Sequence, residues 1–453
     1  VPGKRSSIRP QVLAINAYGQ SLSTIASEPV SARGTGTRYK PVQFLQLSDF
    51  HGAISASATS AGAARLATAF ASDRTEVKPT FTVSSGDNIG GGPIISSYFD
   101  EVPSIRALNK MGLEVSTFGN HEHDRPLSHL QQMIGLSRFD WTVANYSNLE
   151  PLNTSFSNVT GSVLLKRAGM KVGFVGMNTE DTASLVPPGN LDYGTPPAEI
   201  VISPDVAALN AAAKSLRKRG ADVVIALLHQ GWSTSENGKA LGRLVSVTRQ
   251  LKGFDATFGG HTHQTFASVV GGKLTAQPRN SGQEYTRTQV CVNTARNRVM
   301  GSSVQFVTRA DLEGVAEDPA IASMVKQYQQ EIAPVFDRKV GEVDGIFPRG
   351  SRQEAGSQPT GPVERTGENQ LGNLAADALR ARYGTDFVFI NGGGIRDTLP
   401  ANGYVPNDPD LRRPGNSTDP PFDVTLGDIK TVFPFGNSAA VTKMSGEQLW
   451  GAL

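Results

Sequence analysis

Five short apolar runs in this chain each stop on side chains that can hold a cation. Leu47-Ser48 leads to Asp49-Phe50-His51, and Val83-Ser84-Ser85-Gly86 leads to Asp87. Phe118-Gly119 leads to Asn120-His121, Leu227-Leu228 to His229, and Phe258-Gly259-Gly260 to His261-Thr262-His263. Short runs of this kind read as buried strands. In an α/β sheet, ligand sites collect beyond the carboxyl ends of the strands. Five polar tips on one such edge can converge, whereas polar residues scattered along strands could not.

The spacing between these runs predicts the layers. Strands are expected over Val42–Leu47, Thr80–Ser84, Val115–Phe118, Asp222–Leu228 and Ala256–Phe258, with a hairpin over Val163–Val175 turning near Gly169. Helices are expected over Ala61–Ala71, Val102–Met111, Val206–Arg219 and Leu241–Leu251, and successive strands from about Gly271 to Val307. Alternating strands and helices predict stacked α/β layers. Asp318–Glu331 reads as a connecting helix, with Pro319 suited to its first turn. A second unit then starts at Val340–Phe347, with a helix over Gly372–Arg382, a strand over Asp386–Ile390 running into Asn391-Gly392-Gly393-Gly394, and an exposed loop over 399–421. Residues 1–40 read as a basic tail or linker holding one strand-like run, Gln11–Ile15. The expected division is a tail at 1–40, a first domain at 41–316, a helical connector at 317–338 and a second domain at 339–453.

Five of the seven histidines lie in the five tips. The donors are carboxylate, imidazole and carboxamide, without sulfur, which suits Zn²⁺, Mn²⁺, Fe or Co²⁺ better than Ca²⁺. Asp49, His51, Asp87, Asn120, His229, His261 and His263 are too many for one tetrahedral ion and suit two ions sharing a carboxylate. Two cations ~3.5–4 Å apart can hold a bridging hydroxide and clamp an in-line phosphoryl displacement. His121 is then available as an acid, with Asp124 orienting its ring and favouring its cation. The competing arrangement makes His121 a ligand and leaves Asn120 structural. Gly86, Gly119, Gly259 and Gly260 would let the backbone turn beside the ligands. His123 and His129 are left over, the first as a packing residue and the second on the surface.

Composition removes other classes. Lys plus Arg is 43 against 41 for Asp plus Glu, a net charge of +2. That balance argues against a nucleic-acid-coating protein and leaves small anions as ligands. One cysteine, Cys291, excludes an intrachain disulfide and gives no support for a thiolate site; it reads as a small buried residue on a strand. No apolar run approaches the ~18 residues of a membrane helix. Sequons stand at Asn145, Asn153, Asn158 and Asn416. No Gly-x-Ser-x-Gly elbow is present, so a serine esterase is not indicated.

Asp49-x-His51, Gly86-Asp87, Gly119-Asn120-His121-Glu122, His229 and Gly260-His261-x-His263 together resemble the calcineurin-like metallophosphoesterases, and more narrowly the 5′-nucleotidase family, from about Val42 to the end of the chain. The resemblance implies an αββα sandwich, then a smaller α/β nucleotide-binding domain. It implies that Asp49, His51, Asp87 and His263 bind one metal, that Asp87, Asn120, His229 and His261 bind the other, and that His121 and Asp124 form a catalytic dyad. Asn120 would also face the phosphoryl group. Arg365, Asn391, Arg396 and Phe435 match positions that contact phosphate, ribose and base. His123 departs from the family, which often has an apolar aromatic residue there.

The resemblance also implies further base-clamping residues beyond Leu453, so the second domain reads as incomplete, and such a chain is expected to bind nucleoside poorly. The activity implied is hydrolysis of nucleoside 5′-monophosphates by two divalent metal ions (Zn, Mn or Co) outside the cytoplasm. The partner is a small-molecule nucleotide and not a nucleic acid polymer. Two alternatives share the chemistry at phosphorus: a 2′,3′-cyclic-nucleotide phosphodiesterase and a UDP-sugar or nucleotide pyrophosphatase. A catalytically inactive surface binding protein is the alternative from outside the enzymes.

Overall fold

The computed structural model describes residues 39–57, 59–153, 159–236, 239–349, 369–417 and 419–452. The chain divides into two compact units. One runs to Tyr328 without Gly91–Ile94; the other holds those four residues and Gln329–Leu453. The division falls inside the helix Pro319–Phe336, which starts at the predicted proline and runs beyond Glu331.

In the first unit two sheets lie face to face between helices, an αββα sandwich. The first sheet has the strand order Arg298–Thr308, Glu284–Asn293, Tyr39–Leu47, Thr80–Ser84, Val115–Ser116, Asp140–Thr142, Val159–Thr160. Tyr39–Leu47 pairs antiparallel with Glu284–Asn293, and the strands from Tyr39–Leu47 to Val159–Thr160 are parallel. The second sheet has the order Phe266–Val270, Lys273–Gln277, Ala256–Phe258, Val223–Leu228, Met170–Met177, Val163–Arg167. Its four middle strands are parallel and its two edges antiparallel.

The core follows from strand alternation. Val42 and Phe44 point from the first sheet towards the second, and Phe81, Val83, Phe174, Ile225, Leu227 and Phe258 fill the same layer. Phe44 stacks on Phe81 at 6.1 Å and meets Phe258 edge-on at 5.7 Å. The outer face of the second sheet buries Leu209, Ala213, Leu216, Leu244 and Val247 from the helices Ala207–Lys218 and Arg243–Gln250. On the first sheet's outer side, the helices Gly62–Glu76 and Val102–Met111 bury Leu66, Phe70, Ile105, Leu108 and Met111.

Several expectations need correction. The strand at Val42 starts at Tyr39, and the one at Val115 is only two residues long. Cys291 lies on its strand but is half-buried. His129 is half-buried, its Nε2 3.0 Å from the Asp100 carbonyl. Asn145 is 2% exposed and donates to the Asn178 and Ser203 carbonyls, so the acceptor side chain of its sequon is folded inward. Gln11–Ile15 lies outside the described residues.

The second unit pairs Lys339–Val343 antiparallel with Phe422–Thr425 beside the helices Gln370–Tyr383 and Leu426–Val432. Asp386–Ile390 is not a strand: it has no ladder partner among the described residues, and Phe387 and Phe389 face solvent. Nor is 399–421 simply an exposed loop. Leu399, Ala401, Tyr404 and Leu411 are buried, and Arg413 pairs at 2.6 Å with Asp428, which completes a capping box with Thr425 at the start of Leu426–Val432.

Candidate metal centre

Every candidate ligand stands in a loop that follows a strand. Asp49, His51, Asp87 and Asn120 come from the first sheet, and His229, His261 and His263 from the second. Five of them have left-handed backbone: Asp49 (φ 51°), His51 (49°), Asp87 (53°), His261 (77°) and His263 (59°). Such conformations are uncommon without glycine and cost about 1–3 kcal/mol each. Their concentration at one strand edge marks a functional site.

The loops hold one another in place. Asp49 N–H donates to the Gly86 carbonyl at 3.0 Å and His51 N–H to that of Asp87 at 3.0 Å, so these two loops run side by side. Glu122, fully buried, accepts the backbone N–H groups of Gly119 (2.5 Å), Asn88 (2.7 Å) and Asp87 (2.9 Å). Burial, with the Asp87 charge adding to it, pushes its carboxyl up to about 7. Gly86 has the expected left-handed φ, 91°. Gly119 is needed for close approach, since a Cβ there would strike Asp87 Oδ1 and His229 Cε1.

The donors converge. Asp49, His51 and His263 form one cluster of ligand atoms within 4.8 Å, and Asp87, His229 and His261 form another. His51 Nε2 is 3.2 Å from His263 Nε2, and His263 Nε2 is 3.5 Å from Asp49 Oδ1. Around His229 Nε2 stand Asp87 Oδ2 at 3.1 Å, His261 Nδ1 at 3.2 Å and Asn120 Oδ1 at 3.3 Å. His229 Nδ1 meets the Ser85 carbonyl at 2.9 Å, which fixes its proton there and turns the Nε2 lone pair inward. A third cluster, His51, Asp87 and His121, keeps His121 within reach of the same region.

This donor set fits divalent cations. Imidazole nitrogens 3.2 Å apart can share one proton as an N–H···N bond or, with that proton gone, turn both lone pairs onto one cation. Charge points the same way. Burial lowers the His229 pKa, but the facing Asp87 carboxylate outweighs it and lifts it to about 9. Burial likewise opposes the Asp87 charge, yet His229 and His121 hold its carboxyl well below the ordinary range. Without a cation, a proton on His229 Nε2 balances the Asp87 charge, so a cation that takes up the Nε2 lone pair displaces that proton.

His121 Nδ1 lies 2.8 Å from Asp124 Oδ2 at the partly open side of the cluster, the expected dyad geometry. His123 is fully buried with Nε2 2.7 Å from the Tyr146 hydroxyl. In the second unit, Arg396 stands over the Phe435 ring at 5.6 Å, and Asn391 caps its glycine turn by accepting Gly393 N–H at 2.9 Å. Arg365 lies outside the described residues. Reading the residues missed Glu122 as a clamp; its signal was a carboxylate between two histidines in a segment of strand-end character.

Residues 42–265 match the family profile described as calcineurin-like phosphoesterase, and residues 340–453 match 5′-nucleotidase, C-terminal domain. Endonuclease YhcR of Bacillus subtilis is 26% identical over 389 residues, covering 83% of this chain and 28% of that protein. A 5′-nucleotidase of Vibrio parahaemolyticus is 24% identical over 474 residues, covering 95% of this chain and 77% of that one. Among solved structures, a 5′-nucleotidase precursor from Thermus thermophilus superposes with a TM-score of 0.69 at 20% identity, over 88% of this chain and 74% of that one. The chain spans between 26% and 66% of the length of the first three curated relatives it matches.

Proposed function

The chain belongs to the 5′-nucleotidase family of calcineurin-like phosphoesterases, and from that footing we propose that it is a metal-dependent phosphoester hydrolase acting on nucleoside 5′-monophosphates. The observation that supports this most is the gathering of seven oxygen and nitrogen donors from five strand-end loops around two adjoining points. In this reading Asp49, His51, Asp87 and His263 hold one divalent cation, and Asp87, Asn120, His229 and His261 hold the other. Zn²⁺, Mn²⁺ and Co²⁺ all suit the donors.

When bound, the cations would supply a water deprotonated near neutral pH and positive charge against the phosphoryl oxygens. The residues of the chain do the rest. Asp124 orients the His121 ring through Nδ1, so that Nε2–H can donate to the leaving ester oxygen. The Asn120 side chain adds a dipole towards the equatorial phosphoryl oxygens. Glu122 keeps the Asp87 and Asn120 loops together through three backbone bonds. In the second domain, Arg365 and Arg396 are proposed to meet phosphate, Asn391 the ribose and Phe435 the base. The domain limits proposed are 41–316, 317–338 and 339–453.

The test is a panel of AMP, UDP-glucose, 2′,3′-cyclic AMP and a single-stranded oligonucleotide with Mn²⁺, Zn²⁺ or Co²⁺ added. Preferred turnover of AMP supports the reading. Preference for the cyclic ester or the nucleotide sugar moves the chain to the phosphodiesterase or pyrophosphatase alternative on the same metals. No turnover of any ester leaves a surface binding protein, which the complete donor set argues against. No helix among the described residues is long and apolar enough to cross a membrane. A location outside the cytoplasm is proposed from the family resemblance, and fractionation of cells tests it.

A further inference from the structure

We infer that two buried side-chain amides, Gln46 and Asn178, set the spacing between the two halves of the candidate metal centre; the inference rests on the two-cation reading and deepens it. Each cation would draw donors from both sheets. Asp49, His51 and Asp87 would meet His263, while Asp87 and Asn120 would meet His229 and His261. A small slide of one sheet over the other would open both sites at once. The Phe and Val side chains between the sheets bind them without directional preference. A directional tie is needed at the ligand end.

Besides the bonds the candidate ligands make themselves, His229 to the Ser85 carbonyl and His261 N–H to Asp49, two side-chain amide ties are present, and they are reciprocal. Gln46 shares its strand face with Val42 and Phe44, so it points between the sheets. Its Nε2 donates across to the Gly259 carbonyl at 2.9 Å, two residues before His261, and to Ser85 Oγ at 3.0 Å on its own sheet. Its Oε1 accepts from Thr286 Oγ1 at 3.1 Å. Asn178 directly follows the second-sheet strand Met170–Met177. Its Nδ2 donates across to the Gly119 carbonyl at 3.1 Å, one residue before Asn120, and to the Tyr146 hydroxyl at 2.8 Å. Its Oδ1 accepts Thr179 N–H at 2.7 Å.

Each sheet therefore sends one amide to a carbonyl just upstream of the other sheet's ligands. Gln46 and Asn178 are both fully buried, so water does not compete for these bonds. The arrangement also gives His123 a place. His123 Nε2 meets the Tyr146 hydroxyl, that hydroxyl accepts from Asn178, and Asn178 holds the Gly119–Asn120 turn. Gln46 and Asn178 are positioning residues, since neither belongs to the donor set.

The experiment is titration of the metal-free full chain with Mn²⁺ by calorimetry, with thermal melts in chelator alongside. Gln46→Met and Asn178→Leu remove the donors and keep the volume. Gln43→Met is the control. Gln43 is equally buried on the same strand and donates to the Asp73 carbonyl (3.1 Å) and Thr80 Oγ1 (3.2 Å), but it reaches no ligand loop. The Kd for Mn²⁺ is expected to rise about 10- to 100-fold in Gln46→Met and Asn178→Leu and to stay within about twofold in Gln43→Met, with all three melting lower. Should either first variant fail to fold, Gln46→Leu and Asn178→Ala remove the donating amide without adding a charge and are read by the same rule. Wild-type binding of two Mn²⁺ with unchanged affinity in the variants overturns this inference alone. Equal loss in Gln43→Met overturns it as well, by assigning the effect to general destabilisation. A wild-type chain that binds no Mn²⁺ overturns the metal reading and this inference with it.

Discussion

The backbone N–H of His121 donates to Asp87 Oδ1 at 2.8 Å. The residue proposed to deliver a proton is thus tied, through its main chain, to the carboxylate proposed to be shared by two cations. That bond survives any change to the His121 side chain. His121→Ala should lower kcat by about 10²- to 10⁴-fold and still bind two Mn²⁺, as measured by steady-state kinetics and metal analysis. Loss of one ion instead would identify His121 as a ligand, which its cluster with His51 and Asp87 permits.

Asp87→Asn keeps the shape of the shared side chain and removes its charge. The variant should lose both ions, or lose more than about 100-fold in rate with metal in excess, because outer-sphere changes alone already reach that range. Metal content after dialysis and kcat/KM for AMP decide it. A variant that keeps two ions and near-normal turnover would take Asp87 out of its proposed role.

His123 gives a pH signature. Burial moves its pKa from 6.5 down to about 4, with the Asp87 charge opposing the shift more weakly. Between those values the unfolded chain binds a proton that the folded chain does not. Stability is retained above about pH 6.5 and falls as pH drops, by on the order of 3 kcal/mol at the low end. Denaturation in chelator at about pH 7 and about pH 4.5 should show a shallower difference in His123→Phe than in wild type. Parallel behaviour of the two chains would contradict the burial argument.

Gly176 lies where the two sheets touch backbone to backbone, and Ala144 N–H donates to its carbonyl at 2.8 Å. A Cβ at Gly176 would strike the Thr142 carbonyl oxygen, a fixed group. Gly176→Ala should destabilise by more than about 2 kcal/mol, the range of overpacked cores. Gly135, in the helix Leu127–Leu136, has open space at the same position. Gly135→Ala should be neutral or stabilise by up to about 1 kcal/mol. Chemical denaturation of the two variants against wild type checks both.

The convergence of the five candidate loops was legible because each couples an apolar run to a side chain able to hold a cation, a juxtaposition that both periodicity and chemistry report. The helices were legible from apolar spacing, and Ala207–Lys218 falls within a residue of its expected limits at each end. Asp386–Ile390 misled because an apolar run states that burial is wanted without stating that a neighbouring strand supplies it. Gln46 and Asn178 were invisible for another reason. A polar residue in an apolar run carries no mark of which distant carbonyl it will meet, and Gln46 finds Gly259 at a separation of 213 residues. Glu122 was hidden likewise, since its partners are main-chain N–H groups that nearly every residue type offers.

The twisted main chain at Asp49, His51, Asp87, His261 and His263 bears on the order of events during maturation. A free polypeptide rarely visits that shape at one such residue, and hardly ever at all five together. An ion that gathered the proposed donors from a disordered coil would have to impose all five shapes at once. A scaffold that assembles first would present a ready-made nest, and the expected mark of that order is a cooperative melt of the metal-free chain.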